Sequence, residues 1–203
     1  MPKSDRDILA NYLPKTTIDT VLNLIKENQI NLNIKHSRST KLGDFRPPQQ
    51  GKPASLSINA DLNPYAFLIT LIHEIAHWMV WKNNNNYKNL QPHGIEWKRT
   101  FQGLMYPFLN DQVFPNKLLK ILQKHMQNPK ASSTSDIPLT KAIREYNTNR
   151  NNTILADMEI GSLFYFKNRQ FKVIKKNRSR YQCKDLGSDK QYLIHSLAEI
   201  NPL

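Results

Sequence analysis

The apolar positions of this chain change period several times, and each change marks an element. Between residues 5 and 28, Ile8, Leu9, Tyr12 and Leu13 make a first face; after Pro14, Ile18, Val21, Leu22 and Ile25 recur at helical spacing. Ile30, Leu32 and Ile34 then alternate with Asn31, Asn33 and Lys35, the period of a half-buried strand. Arg38 to Phe45 reads as a second strand with Gly43 as a bulge, residues 47–53 as a loop, and Ala54 to Ile58 as a short third strand. Asn63-Pro64 is a helix start, an N-cap followed by a first-turn proline. From Tyr65 to Trp81 the run is nearly all apolar, and a helix apolar all round is buried. A polar, turn-prone stretch, Asn83 to Tyr87, separates it from a second helix, His93 to Leu109. That helix turns Trp97, Phe101, Leu104, Met105 and Phe108 inward, and Phe114 to Met126 is a third.

The pattern then breaks. Asn128 to Ser135 is Ser-rich, with almost no apolar content, and reads as the start of a linker over residues 129–152 that holds a short helix at Lys141–Tyr146. Residues 1–128 thus form one domain and 153–203 a second. The second shows four strand-like runs, Leu163–Phe166, Phe171–Ile174, Arg180–Cys183 and Gln191–Ile194, separated by turn residues. A helix, three strands and the buried helix with its followers predict an α+β core, followed by a small β module.

Charge adds a partner class. The 203 residues hold 29 Lys and Arg against 16 Asp and Glu, a net charge of +13 that favours polyanions. From Lys167 to Lys184 there are basic residues and no acid. Lys172, Lys175, Lys176, Arg178 and Arg180, with Phe171 and Tyr181 interleaved, fit a single-stranded nucleic-acid platform of cations for phosphates and rings for bases. The same pattern fits a module whose aromatics are core and whose lysines are solvated. A single cysteine, Cys183, excludes an intramolecular disulfide and agrees with a reducing cytoplasm. The first residues carry no apolar signal-peptide core, and the long apolar run carries ionisable residues, so no membrane span is expected.

Those ionisable residues are the chemistry of the chain. His73-Glu74-Ile75-Ala76-His77 reads H-E-x-x-H. Residues i and i+4 share one helix face, so both imidazoles reach one metal ion, and Glu74 lies beside it to take a proton from activated water. Unpaired Glu and His are costly on an apolar helix. Structural hydrogen bonding of all three is the competing explanation. Zinc needs a third protein ligand and an open fourth position for catalysis. The extended H-E-x-x-H-x-x-G-x-x-H pattern fails, because Val80 and Asn83 stand at its Gly and last His positions. Downstream, both His93 and Glu96 are possible ligands; an imidazole beside Gly94 approaches a metal closely, whereas Glu96 also fits as an ordinary first-turn acid. His125 reads as a cation placed near a helix C-terminus, His36 as solvated, and Tyr87 as a rim aromatic rather than a transition-state donor.

The combination H-E-I-A-H, a polar insert and then His93-Gly94-x-x-Trp97-Lys98 resembles the SprT-like family of bacterial SprT and eukaryotic Spartan proteins. Arg38-Ser39-Thr40-Lys41-Leu42-Gly43 and the Ser57-Ile58-Asn59 and Leu62-Asn63-Pro64 segments extend the likeness over roughly residues 5 to 127. The resemblance implies a minimal zincin core with His73, His77 and His93 holding one Zn²⁺ and Glu74 as catalytic base. It also implies a metallopeptidase acting on proteins bound or crosslinked to DNA, single-stranded or partly so, with DNA itself as a partner. Many relatives carry a zinc ribbon at the C-terminal end. Tyr181-Gln182-Cys183 resembles a fragment of one, but the other cysteines are absent, so the module is expected to be degenerate and to hold no metal. Two other functions are open: a DNA-binding protein with a structural or dormant zinc site, and a zinc hydrolase of small substrates.

Overall fold

The computed structural model describes residues 4–38, 40–49, 51–85, 87–131, 136–147 and 153–203. It divides into two units, Met1–Asn147 and Thr148–Leu203. The class is α+β, with a three-stranded sheet in the first unit and a six-stranded sheet in the second.

The first unit opens with α1 (Asp5–Leu9), held by a capping box in which Ser4 and Asp7 bond reciprocally. Pro14 lacks a backbone donor, and the expected helical stretch breaks there; a 3-10 turn at Lys15–Thr17 leads into α2 (Ile18–Glu27), which buries Ile18, Val21 and Leu22. The strands are β1 (Leu32–Lys35), β2 (Gly43–Arg46) and β3 (Ser55–Asn59). Their order is β1-β3-β2, with β1 parallel and β2 antiparallel to β3. The second strand is shorter than expected. Arg38 is drawn out of it by Asn59 Oδ1 and Ser57 Oγ, to which its guanidinium donates at 2.8 and 3.1 Å. Gly43 is not a bulge: β2 runs in regular register from Gly43 opposite Ile58 to Arg46 opposite Ser55.

The central helix is α3 (Pro64–Asn83). Asn63 caps it, accepting from the Tyr65 and Ala66 N–H groups at 3.1 and 3.0 Å. Its Phe67, Leu68, Leu71, Ile72, Ile75 and Ala76 are fully buried. Neighbouring α4 (Ile95–Met105) adds Trp97, Phe101 and Met105 to this core, and α5 (Asn116–Met126) adds Leu118 and Leu122. None of the described helices is long and apolar enough to cross a membrane.

The first unit continues past residue 128. A further helix, α6 (Ile137–Arg144), lies inside the expected linker and belongs to this unit. It buries Leu139, Ala142 and Ile143 in the same core, and Asn63 Nδ2 donates to the Ile143 carbonyl at 3.0 Å. Three apolar residues at helical spacing suffice to dock it, although the Ser-rich run before it masks the signal. Residues 132–135 and 148–152 of the expected linker lie outside the described residues.

The second unit has its own core of Leu155, Phe164, Phe171, Val173, Tyr181, Cys183, Ile194 and Ile200. Its strands are β4 (Thr153–Ile154), β5 (Leu163–Phe166), β6 (Arg169–Lys176), β7 (Arg180–Asp185), β8 (Gln191–His195) and β9 (Glu199–Pro202). β5 to β8 form an antiparallel meander, and β9 returns to pair with β5 on one side and β4 on the other. Lys167 and Asn168, both at positive φ, make the tight β5–β6 turn that suits a two-residue hairpin. β4 and β9 are too short and too weakly alternating to read from the sequence.

Candidate metal centre

α3 presents His73 and His77 one turn apart, as the i, i+4 spacing requires. The third histidine arrives from the chain before α4. His93 has φ 60°, a left-handed conformation uncommon for a side chain with a Cβ, and Gly94 follows as the N-cap of α4. The backbone thus accepts an unfavourable geometry that aims His93 back at α3. The three Nε2 atoms converge: His73 to His93 at 3.1 Å, His77 to His93 at 2.9 Å and His73 to His77 at 3.3 Å. Tetrahedral ligands each about 2.0–2.1 Å from one zinc ion stand about 3.3–3.4 Å apart, so the cluster is close to the size that a single ion demands. These three side chains lie close enough to hold a metal ion, and they are the one such group of three or more among the described residues. Glu96 is not part of it.

Burial tunes every member. It pushes His73 down to about 2, helped by its two histidine neighbours, and His77 down to about 4; His93 is lowered by the same cause. Neutral imidazole is the ligating form, so the rings are ready for a cation. Glu74 is 8 % exposed, and burial, with the charge of Asp44, pushes its carboxyl up to about 8 against the opposing hydrogen bond from the Phe45 N–H. Asp44 itself is held by Lys41 at 2.9 Å and Arg46 at 2.8 Å.

Three supporting features complete the site, and only Trp97 and Gly43 fall within the motifs that carry the sequence resemblance. The Trp97 ring packs against all three imidazoles, with centroids 4.6 Å from His73, 5.5 Å from His77 and 4.7 Å from His93. Its spacing of four from His93 across a helix start was the available signal. Gly43 of β2 lies so close to α3 that a Cβ there would sit 2.7 Å from Glu74 Oε1. His125 is 6 % exposed and bonds Asp136 at 2.9 Å. It sits on the last turn of α5, as the sequence suggested, but it is buried and paired there; its partner sits on the far side of the Ser-rich run.

A cavity of about 460 Å³ joins these parts, lined by the three histidines, Glu74, the β2 segment Gly43–Phe45, Tyr87 and His125. β2 bounds it as a sheet edge, paired to β3 on its other side.

The basic residues of the second unit separate by face. Phe171 and Tyr181 are 3 % and 9 % exposed, so they are core and not stacking surfaces. Lys172 and Lys175 on β6 and Arg180 on β7 are exposed, and Arg178 is exposed in the turn between those strands. Lys172 stands opposite Lys184 in the ladder. Lys176 departs from this group: it is half-buried, lies over the Tyr181 ring and ion-pairs with Glu159 at 3.6 Å. The exposed aromatics are Tyr165 and Tyr192. Cys183 is fully buried, and burial pushes its thiol up to about 11. The zinc-ribbon likeness around it has no counterpart in this core position.

Comparison with family models, with curated proteins and with solved structures finds no match.

Proposed function

We propose that the chain is a zinc-dependent metallopeptidase of SprT-like type that cleaves proteins bound to DNA. The observation that carries this reading is the convergence of His73, His77 and His93 in a cavity that also holds Glu74 and is bounded by a strand edge. Three imidazoles with no fourth protein ligand among the described residues fit a catalytic site better than a structural one, which is usually closed by four. Zinc held there would polarise a peptide carbonyl and bring the pKa of water toward about 7.

The rest falls to the chain's own groups. Glu74 takes the proton of the attacking water and passes it to the leaving amine. The edge of β2 that pairs with no strand among the described residues offers backbone groups to an extended peptide, apart from the Phe45 N–H that Glu74 takes, and this favours a polypeptide over a small substrate. The exposed Lys172, Lys175, Arg178 and Arg180 supply phosphate contacts for DNA, single-stranded or partly so. A cytoplasmic location belongs to the same reading, resting on the single, buried cysteine.

The test is cleavage of a DNA-bound protein by the full chain, with and without zinc, chelator and single-stranded DNA. Cleavage should need the metal and rise with DNA. Glu74→Gln should keep zinc and lose at least about 100-fold in rate, the scale of a lost general base. A wild-type protein that binds DNA and zinc yet never cleaves would instead support the dormant-site alternative.

A further inference from the structure

The peptidase reading leaves one chemical task without a residue. As water adds to a carbonyl, its oxygen becomes negative, and sites of this chemistry place a donor where that charge develops. The cavity holds a group built for such a task. His125, on the last turn of α5, is buried to 6 % exposure yet lines the same cavity as His73, Glu74 and His93. Its Nδ1 is engaged by Asp136 Oδ2 at 2.9 Å, while the other carboxylate oxygen accepts the Leu139 N–H at 3.2 Å to cap α6. Burial works to raise the Asp136 carboxyl, but the His125 hydrogen bond and the Leu139 N–H outweigh it and hold it below its ordinary value, as a carboxylate. An ionised carboxylate can only accept, so Nδ1 carries a proton, and Nε2 is the ring nitrogen left to face the cavity, where it donates in the imidazolium form that carries a second proton on Nε2.

A surface helix-end histidine needs neither burial nor an aligned acid. A purely structural pair needs no access to a cavity shared with metal ligands. We infer that His125 is a catalytic residue of this site, the donor to the substrate carbonyl oxygen as it turns negative, and that Asp136 positions it. The inference rests on the peptidase reading. A carboxylate behind Nδ1 fixes the orientation of the ring and steadies positive charge on it, as in other His–Asp pairs. No bond to His125 forms or breaks; Glu74 alone moves the proton between water and leaving amine. Tyr87, also on the cavity wall, is one competing donor; it is half-exposed on a short 3-10 turn with no partner bond fixing its hydroxyl among the described contacts, and Lys130 on the same wall has its ammonium 3.9 Å from Asp136.

The test uses zinc-loaded full chain, a peptide substrate and an N-phosphorylated dipeptide, whose tetrahedral phosphoryl group mimics the addition step. His125→Phe keeps a ring in place and removes both nitrogens. It should retain zinc and lower kcat by about 100-fold with KM nearly unchanged, the loss expected on removing one such donor. Affinity for the phosphorylated dipeptide should fall by a similar factor, because a transition-state mimic reads the same contact. Asp136→Asn keeps an N-capping side chain on α6 and should shift both readouts in the same direction. Unchanged kcat and dipeptide affinity in folded, zinc-loaded His125→Phe would overturn the inference. So would loss of zinc in that variant together with unchanged kinetics in Asp136→Asn, since the pair would then be structural. A loss in Tyr87→Phe with none in His125→Phe would move the role to Tyr87. If Glu74→Gln cleaves like wild type, the peptidase reading itself fails and this assignment falls with it. Inactive Glu74→Gln beside fully active His125→Phe removes only the assignment.

Discussion

Gly43→Ala places one methyl group where β2 meets α3. The β2 backbone is extended there, so the substitution carries no penalty of backbone conformation; the cost is space. The added Cβ would lie 2.7 Å from Glu74 Oε1, 2.8 Å from Glu74 Cγ and 2.9 Å from Thr70 Cγ2. Ordinary contact begins near 3.4 Å, so Glu74 Oε1 would have to withdraw by about 0.7 Å. Glu74 has little room to do so, since it is 8 % exposed and tied to the Phe45 N–H of the same strand. Overpacking of this kind costs about 1–3 kcal/mol of stability, visible as a lower denaturant midpoint at unchanged m-value. Misplacement approaching 1 Å costs on the order of 100-fold in rate, so kcat should fall by about 10–100-fold. Zinc content should not change, because Gly43 touches none of the histidines in the contacts above. The double variant Gly43→Ala/Glu74→Ala removes two of the three clashes, so its stability loss should be smaller than the sum of the single losses. Wild-type stability and rate in Gly43→Ala, or strict additivity in the double variant, would show that Glu74 is not docked against β2.

His93→Ala should weaken zinc affinity by more than the roughly 10–100-fold that loss of an outer partner of a ligand costs, while Glu96→Ala leaves it nearly intact; metal analysis after dialysis decides, and the reverse result would make this a two-His, one-Glu site. In the metal-free protein, the folded value of Glu74, about 8, lies above its ordinary 4.5, so its contribution to stability is present at low pH and is lost as pH rises through about 8. Wild type should therefore lose about 2 kcal/mol between pH 6.5 and pH 8, above the range where the lowered histidines act, and Glu74→Gln should not; parallel denaturation curves across this window would refute the burial argument. Charge reversal at Lys172, Lys175 and Arg180 together should weaken single-stranded DNA binding and flatten the log–log salt slope by about 2, whereas reversal of Lys176, engaged by Glu159 and Tyr181, should change it little; an unchanged slope in the triple variant would place the DNA contacts elsewhere.

Several parts of this protein were legible from local sequence because they depend on short-range periodicity. The N-cap Asn63, the buried helix from Pro64 and the pairing of His73 with His77 follow from spacing along one helix. Four strands of the second unit follow from alternation. The choice between His93 and Glu96 was different. On residue types both remained open, and a left-handed backbone at His93 settles which side chain turns back to α3. The face on which Phe171 and Tyr181 fall was likewise undecided, because alternation reveals two faces without saying which is inside; the closing of β9 against β5 makes theirs the core. The Gly43 contact, the Trp97 floor beneath the histidines and the His125–Asp136 pair join segments separated by polar loops, where no periodicity carries across. Local sequence determined most of the longer elements and the pairing of His73 with His77. Tertiary packing decided which distant side chains share their cavity, because burial and approach distance are properties of elements already assembled.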